Sequence, residues 1–335
     1  MRAEDNRQRA VTQEDVAQAV GVSRTLVSFA FRGAPGVSSE TRQAILEAAQ
    51  RLGYRHNAVA ADLASKRPSA VGLFLLDLRN EVYADVFNGV REALSPHSNR
   101  LILSISESPG VDEGAVNSLI EARVGIIVAA TLLDSDARVK ELAATIPMVN
   151  VARRVDGVDS VYSDDRAGAR AATEHLLRLG HTRIAHVTAP PHEGHEERRR
   201  AYEATMREAG LTPQVVVVDD YSQAAAQRAA GALLTGAERP TAVFAHNDEI
   251  ALGVREAAYA AGLAVPRDLS LVGYDNSRIA SLHGIDLTSV DLHALELGRA
   301  AGVAALERLA APDGPVVDRS SEPQLVVRGS TAPPR

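Results

Sequence analysis

Three short helical patterns open the chain. Val16, Ala17 and Val20 recur at helical spacing behind Thr12, which stands three residues before Asp15 as a capping pair, and Gly21 breaks the run. Ser23 is placed to cap a second helix carrying Leu26, Val27 and Ala30 on one side. Gly33, Pro35 and Gly36 predict a loop. Ser38 or Ser39 then starts a third helix whose Ile45, Leu46, Ala49 and Leu52 form an apolar stripe ending at Gly53. Two helices joined through a glycine turn and closed by a third describe a helix-turn-helix unit, with Val16, Ala17, Val20, Val22, Val27, Ile45, Leu46 and Ala49 as its expected core. The alanine-rich segment 57–67 ends before Pro68; eleven residues of helix are marginal alone in water, so context decides between coil and helix.

From Ala70 the pattern changes. Apolar runs recur at 70–76, 101–105, 124–130, 147–151, 183–187, 215–218, 241–245 and 269–274. Helical patterns at 84–94, 114–122, 166–179, 196–209, 223–234, 249–261 and 293–309 separate them. Unbroken apolar strands alternating with helices predict parallel sheets covered on both faces. The stretch is too long for one comfortable core, so two α/β lobes are expected, with a ligand cleft at the carboxyl ends of the strands.

Composition narrows the class. Of 335 residues, 45% are hydrophobic and 24% charged, an ordinary globular balance that excludes a disordered or fibrous chain. No uninterrupted apolar run is long enough to span a membrane, and the N-terminus MRAEDNRQRA lacks the apolar stretch of a secretory signal, so a cytoplasmic protein is expected. The absence of cysteine excludes disulfides, thiolate catalysis and Cys-ligated zinc. The net charge of −7 hides an asymmetry: residues 1–67 carry ten Arg/Lys against seven Asp/Glu. A basic head on an acidic body points to nucleic-acid contact at the head only.

Six ordered blocks carry a resemblance: VTQEDVAQAVGVSRTLVS (11–28), VSSETRQAILEAAQRLGYRHNAVAADLAS (37–65), AGARAATEHLLRLGHTRIAHV (167–187), AVFAHNDEIALG (242–253), VPRDLSLVGYDN (265–276) and PQLVVRGSTAPP (323–334). From about residue 11 to residue 333 the chain resembles the lactose-repressor (LacI/GalR) family of bacterial transcription factors. The resemblance implies an N-terminal all-α helix-turn-helix head (1–56), a hinge helix or linker (57–67), and a two-lobed α/β effector and dimerisation domain (68–335). That domain would be periplasmic-binding-protein-like with parallel sheets, its N-lobe about 68–164 and 291–324, its C-lobe about 165–290 and 325–335.

In a helix-turn-helix the second helix enters the major groove with its first residues at base edges. The resemblance assigns base reading to Arg24, Thr25 and Phe29, with Ser23 and Ser28 nearby. Arg24 has the fork for guanine O6 and N7, and Thr25 suits a hydrogen bond or a thymine methyl. Phe29 is a departure, since Arg is common at this position in the family; Phe reads only a methyl group or fills space. Thr12, Ser23, Ser38, Thr41, Tyr54 and Asn57 match phosphate-contacting positions, with simple helix capping as the alternative for the small ones. Leu63 matches the hinge leucine whose two symmetry-related copies wedge into the central base step from the minor groove. Two heads and two hinges imply a homodimer on a pseudo-palindromic double-stranded operator.

For the cleft, the resemblance nominates Asp77, Tyr83, Arg153, Arg198, Tyr221, Phe244, Asn247 and Asp275 as contacts of a small-molecule effector, a sugar or related metabolite. The donor set suits hydroxyls, and Tyr221 or Phe244 offers an apolar face. Alternatives stand beside these: a turn for Asp275, a helix cap for Asn247, packing for Tyr221, a surface charge for Arg153. Ala129 and Ala152 occupy places where sugar-responsive members carry Asn and Asp, and Arg153 facing the cleft would welcome a carboxylate or phosphate. HEGHEERRR (192–200) lacks zinc-motif spacing, and Asp164 and Asp165 are expected to cap the helix that follows. No nucleophile elbow, Walker loop or dinucleotide fingerprint is present, so neither catalysis nor a cofactor or metal is expected. Rival readings are a solute-binding protein, an enzyme acting on a sugar, and an activator of the same family.

Overall fold

The computed structural model of the chain describes residues 11–31, 35–54, 68–97, 99–106, 112–190, 192 and 196–335. The expected hinge helix with Asn57 and Leu63, and His195 of the histidine-rich stretch, lie outside these residues. The chain forms two compact units, Met1–Arg67 and Pro68–Arg335.

In the first unit, α1 (Gln13–Val20), α2 (Arg24–Phe31) and α3 (Ser39–Leu52) surround a small core. Thr12 and Asp15 close a reciprocal capping box on α1, and Gly21 and Gly53 end α1 and α3 at φ 74° and 70°, the left-handed region that glycine enters without strain. Val16, Ala17, Val27, Ala30, Ile45, Ala48 and Ala49 are buried together. Leu46, expected in this core, is instead 40% exposed. The buried face of α3 runs through 45, 48 and 49, and Leu46 lies one step around the helix from it. Phe31, which the apolar count had left out, packs its ring against Tyr54 at 5.4 Å.

The second unit contains two six-stranded sheets. The first is all parallel in the order β2 (Leu101–Ile105), β1 (Val71–Leu75), β3 (Ile126–Ala130), β4 (Met148–Val151), β5 (Asp159–Ser163) and β11 (Asp318–Ser321). The second repeats this order with β7 (Gln214–Val217), β6 (Ile184–Thr188), β8 (Ala242–Ala245), β9 (Ser270–Tyr274), β10 (Thr288–Asp291) and β12 (Gln324–Val326), of which β12 alone runs antiparallel to its neighbour. Burial across β1, β3, β4, β6, β8 and β9 is complete, as expected of strands covered on both faces. The chain passes between the sheets after β5, after β10 and after β11.

The helices are α4 (Val82–Leu94), α5 (Glu113–Glu121), α6 (Asp136–Thr145), α7 (Asp165–Arg178), α8 (Glu197–Glu208), α9 (Gln223–Thr235), α10 (Asp248–Ala260) and α11 (Ala294–Ala310). α4 and α11 approach so closely that a Cβ added at Gly89 would stand 2.1 Å from the Leu295 carbonyl oxygen, and one at Gly298 would stand 2.3 Å from that of Val86. Four strands and one helix escaped the hydrophobic pattern. β5 buries Asp159 and Ser160, and the Asp159 carboxylate accepts from Arg308 of α11 at 2.6 and 2.8 Å. β10 buries Thr288 and Ser289, and α6 buries only Val139 and Leu142; β11 is a polar edge strand and β12 a three-residue one, neither with a fully buried residue. Among the described residues no helix is long and apolar enough to cross a membrane.

Candidate functional site

On the first unit, the candidate DNA-reading face gathers on α2. Ser23, Arg24 and Thr25 are exposed at its start, and Ser28 and Phe29 are half-buried one turn on. The Ser23 hydroxyl accepts the Leu26 N–H at 3.2 Å, so it caps the helix while remaining at the surface. Thr12 accepts the Asp15 N–H, and Ser38 accepts the Thr41 N–H at 3.1 Å while its hydroxyl donates to Thr41 Oγ1 at 2.8 Å. Capping therefore occupies one lone pair of each hydroxyl. Tyr54 anchors its ring on Phe31 just after α3.

In the second unit, loops at the carboxyl ends of β1, β3, β4, β8 and β9 converge on a cavity of about 150 Å³. Asp77, Tyr83, Arg198, Tyr221, Asn247 and Asp275 all border it. Asn247 also caps α10: its Oδ1 accepts the Ile250 N–H at 2.9 Å, so the cap and the cleft-facing amide coexist in one side chain. Asp275 leaves β9 at φ 102°. Its strained backbone is held because its N–H donates to the Val290 carbonyl at 2.8 Å. Its carboxylate accepts from Asn80 Nδ2 at 3.0 Å and lies 3.8 Å from Arg198.

Arg198, on α8, is the hub. Its Nε is 3.1 Å from Asp165, its Nη1 donates to the His246 carbonyl at 2.9 Å, and its guanidinium carbon lies 3.7 Å above the Tyr274 ring. Burial, with Asp248 and Asp165 near it, pushes the Asp275 carboxyl up to about 7 although Arg198 and Asn80 pull the other way. Burial likewise lifts Tyr221 to about 12 and raises Glu249. Asp248 lies under the site, pushed up to about 6 by burial against hydrogen bonds from Ser289 and Ser277.

Two expected contacts stand elsewhere. Phe244 does not border the cavity: it is fully buried on β8, where its inward face stacks on His186 with ring centroids 4.6 Å apart. Arg153 turns away into an ion pair with Asp136 and donates to the Asp134 carbonyl at 2.8 Å, so it offers the cleft no charge. Ala129 also faces a core, and its neighbours Ala130 and Thr131 form the wall instead, together with Ala152. Of the acidic pair before α7, Asp164 caps the helix through the Ala167 N–H at 3.0 Å, whereas Asp165 turns inward and also accepts from the Tyr274 hydroxyl at 2.8 Å. Asn80, Thr131, Asp165, His246 and Glu249 also line the cavity and were not assigned to it from sequence. His246 and Glu249 sit inside a family-like block, a usable signal; Asn80 and Asp165 join the site only through tertiary pairing. Among the described residues no cluster of His, Cys, Asp and Glu is arranged to hold a metal ion.

Comparison with known proteins places both units. The signature described as bacterial regulatory proteins, lacI family, matches residues 12–57, and that of a periplasmic binding protein-like domain matches 173–331. The chain is 34% identical over 299 residues to catabolite control protein A of Priestia megaterium, covering 87% of this chain and 90% of the relative. It is 32% identical to the HTH-type transcriptional regulator DegA of Bacillus subtilis, covering 95% and 97%. Among solved structures, the lac repressor dimer bound to operator and an anti-inducer matches with a TM-score of 0.85 at 26% identity, over 97% of this chain and all of that one. Its relatives are transcriptional regulators and not enzymes, and with a helix-turn-helix unit ahead of a two-lobed α/β unit the chain belongs to the lacI family of DNA-binding bacterial transcriptional regulators.

Proposed function

We propose that the chain is a cytoplasmic repressor that grips a pseudo-palindromic operator as a homodimer and answers to a small-molecule effector in the inter-lobe cleft. The observation that carries the effector half is the convergence of Asp77, Tyr83, Arg198, Tyr221, Asn247 and Asp275 on one cavity. They arrive from widely separated stretches of sequence, and side chains of both sheets' loops contribute, so an occupant touches both lobes and biases their closure. Such a bias requires different affinities for the two closure states.

The DNA half rests on the exposed start of α2. Arg24 and Thr25 read base edges with Ser28 nearby, Phe29 meets a methyl group or fills space beside them, and Thr12, Ser23, Ser38, Thr41, Tyr54 and Asn57 orient the head on phosphates. Leu63, with its dimer mate, wedges the central base step. The solved lac repressor relative is a dimer on operator with a ligand, which supports this assembly. Selection of duplexes from a random library by the full chain tests the reading. A symmetric consensus with two half-sites is expected, bound with an affinity that falls steeply with salt; recovery of no consensus would overturn it.

A further inference from the structure

Resting on the effector reading above, the charges of the cleft point to one ligand class. Among the described residues, besides His246 and the phenols of Tyr83 and Tyr221, the ionisable groups that border the cavity are Asp77, Arg79, Asp165, Arg198, Glu249 and Asp275, four carboxylates against two guanidiniums. Both guanidiniums are committed. Arg79, at the exposed edge, grips the Asp77 carboxylate through Nε at 3.0 Å and Nη2 at 2.8 Å. Arg198 is enclosed by Asp165, Asp275, the His246 carbonyl and the Tyr274 ring.

Helix N-termini ordinarily welcome anions, and α7 and α10 both begin at the cleft. Both are already served from within the chain. Asp164 takes the Ala167 N–H at 3.0 Å, Asn247 takes the Ile250 N–H at 2.9 Å, and Asp165, Asp248 and Glu249 fill the first turns. Among the described lining residues, a phosphate or carboxylate entering here meets unbalanced carboxylates and gains no guanidinium without breaking an existing ion pair.

We propose that the effector presents a protonated amine to the Asp275–Asp165 side of the cleft and carries neither phosphate nor carboxylate there. The ammonium supplies the positive charge that Arg198 alone divides between two carboxylates, and it donates hydrogen bonds in the directions that Asn80 leaves open on Asp275. The apolar lining residues Leu76, Val86, Leu292 and Leu297 accept the apolar part of the molecule. Burial raises the Asp275 carboxyl, and an ammonium beside it would favour the ionised form.

Thermal-shift titration of the full chain with glucosamine, glucose and glucuronate, one skeleton bearing an ammonium, a hydroxyl or a carboxylate, tests this. Glucosamine is expected to bind about tenfold more tightly than glucuronate, the scale of one partly desolvated ion pair. Asp275→Asn is expected to narrow that ratio, and Glu249→Gln to narrow it by a smaller step. Glucuronate binding as tightly as glucosamine, or no response to glucosamine, would overturn the assignment. Gel shifts with the selected operator keep the two readings apart. An anionic compound that alters operator binding would sink the amine and leave the effector site standing. An amine that binds without moving operator affinity would uphold the charge class and sink the effector role.

Discussion

Arg198 shows how one residue organises the cleft. A single buried guanidinium offsets Asp165 and Asp275 from two elements, and the Asp275 carboxyl keeps the cost of that arrangement. Its ionisation is raised from 3.8 to about 7 in the fold, chiefly by burial. The folded chain therefore holds a proton that the unfolded chain has already released, and stability falls as pH climbs through that interval. Asp275→Asn removes the penalty while nearly keeping the side chain's shape. The variant should melt a few degrees above the parent at about pH 8, and the gap should close toward about pH 5, as read by circular dichroism melts. A gap independent of pH would contradict the carboxyl's placement. On the DNA side, Arg24→Ala should cost about 1–3 kcal/mol of discrimination at one base pair per half-site, visible as a flattened column in the selected consensus. Side chains that meet through tertiary pairing were the hardest to foresee. Asp165 looks like half of a capping pair, and only the folded course of α8 brings Arg198 to it.

Elements were legible where burial is uniform and illegible where it is polar. β1, β3 and β8 announce themselves as apolar runs because both faces are covered. β5 and β10 do not, because Asp159 lies against Arg308 and Ser289 donates to Asp248 at 2.6 Å, contacts that replace apolar packing. The same principle explains Phe244 and Arg153: alignment fixes their positions on β8 and after β4, but not which way a strand residue or a flanking arginine turns. At the α4–α11 contact, Gly298→Ala would drive a methyl into the Val86 carbonyl, and overpacking of that kind costs about 1–3 kcal/mol. A lowered melting temperature with native secondary structure is the expected result. Leu63→Ala, by contrast, should leave the fold and the proposed dimer intact on sedimentation while most specific operator affinity is lost; unchanged affinity would reject the proposed wedge.

At the scale of the whole molecule, the proposed function depends on two units that answer to different ligands. The three-helix unit has the basic balance and the exposed α2 start that duplex DNA requires. The two-sheet unit repeats one strand order twice and leaves a cavity where the carboxyl ends meet. In the proposed function, coupling between them is a difference in effector affinity between DNA-competent and DNA-incompetent states, and by linkage DNA would then change effector affinity by the same factor. Fluorescence anisotropy with the selected operator, titrated with protein across a series of salt concentrations with and without a cleft ligand, measures this directly. Tight, salt-sensitive binding to the symmetric site is expected, with a several-fold shift in affinity when the cleft is filled. Equal affinity for operator and scrambled duplex, or an operator affinity unmoved by a ligand shown to occupy the cleft, would contradict it.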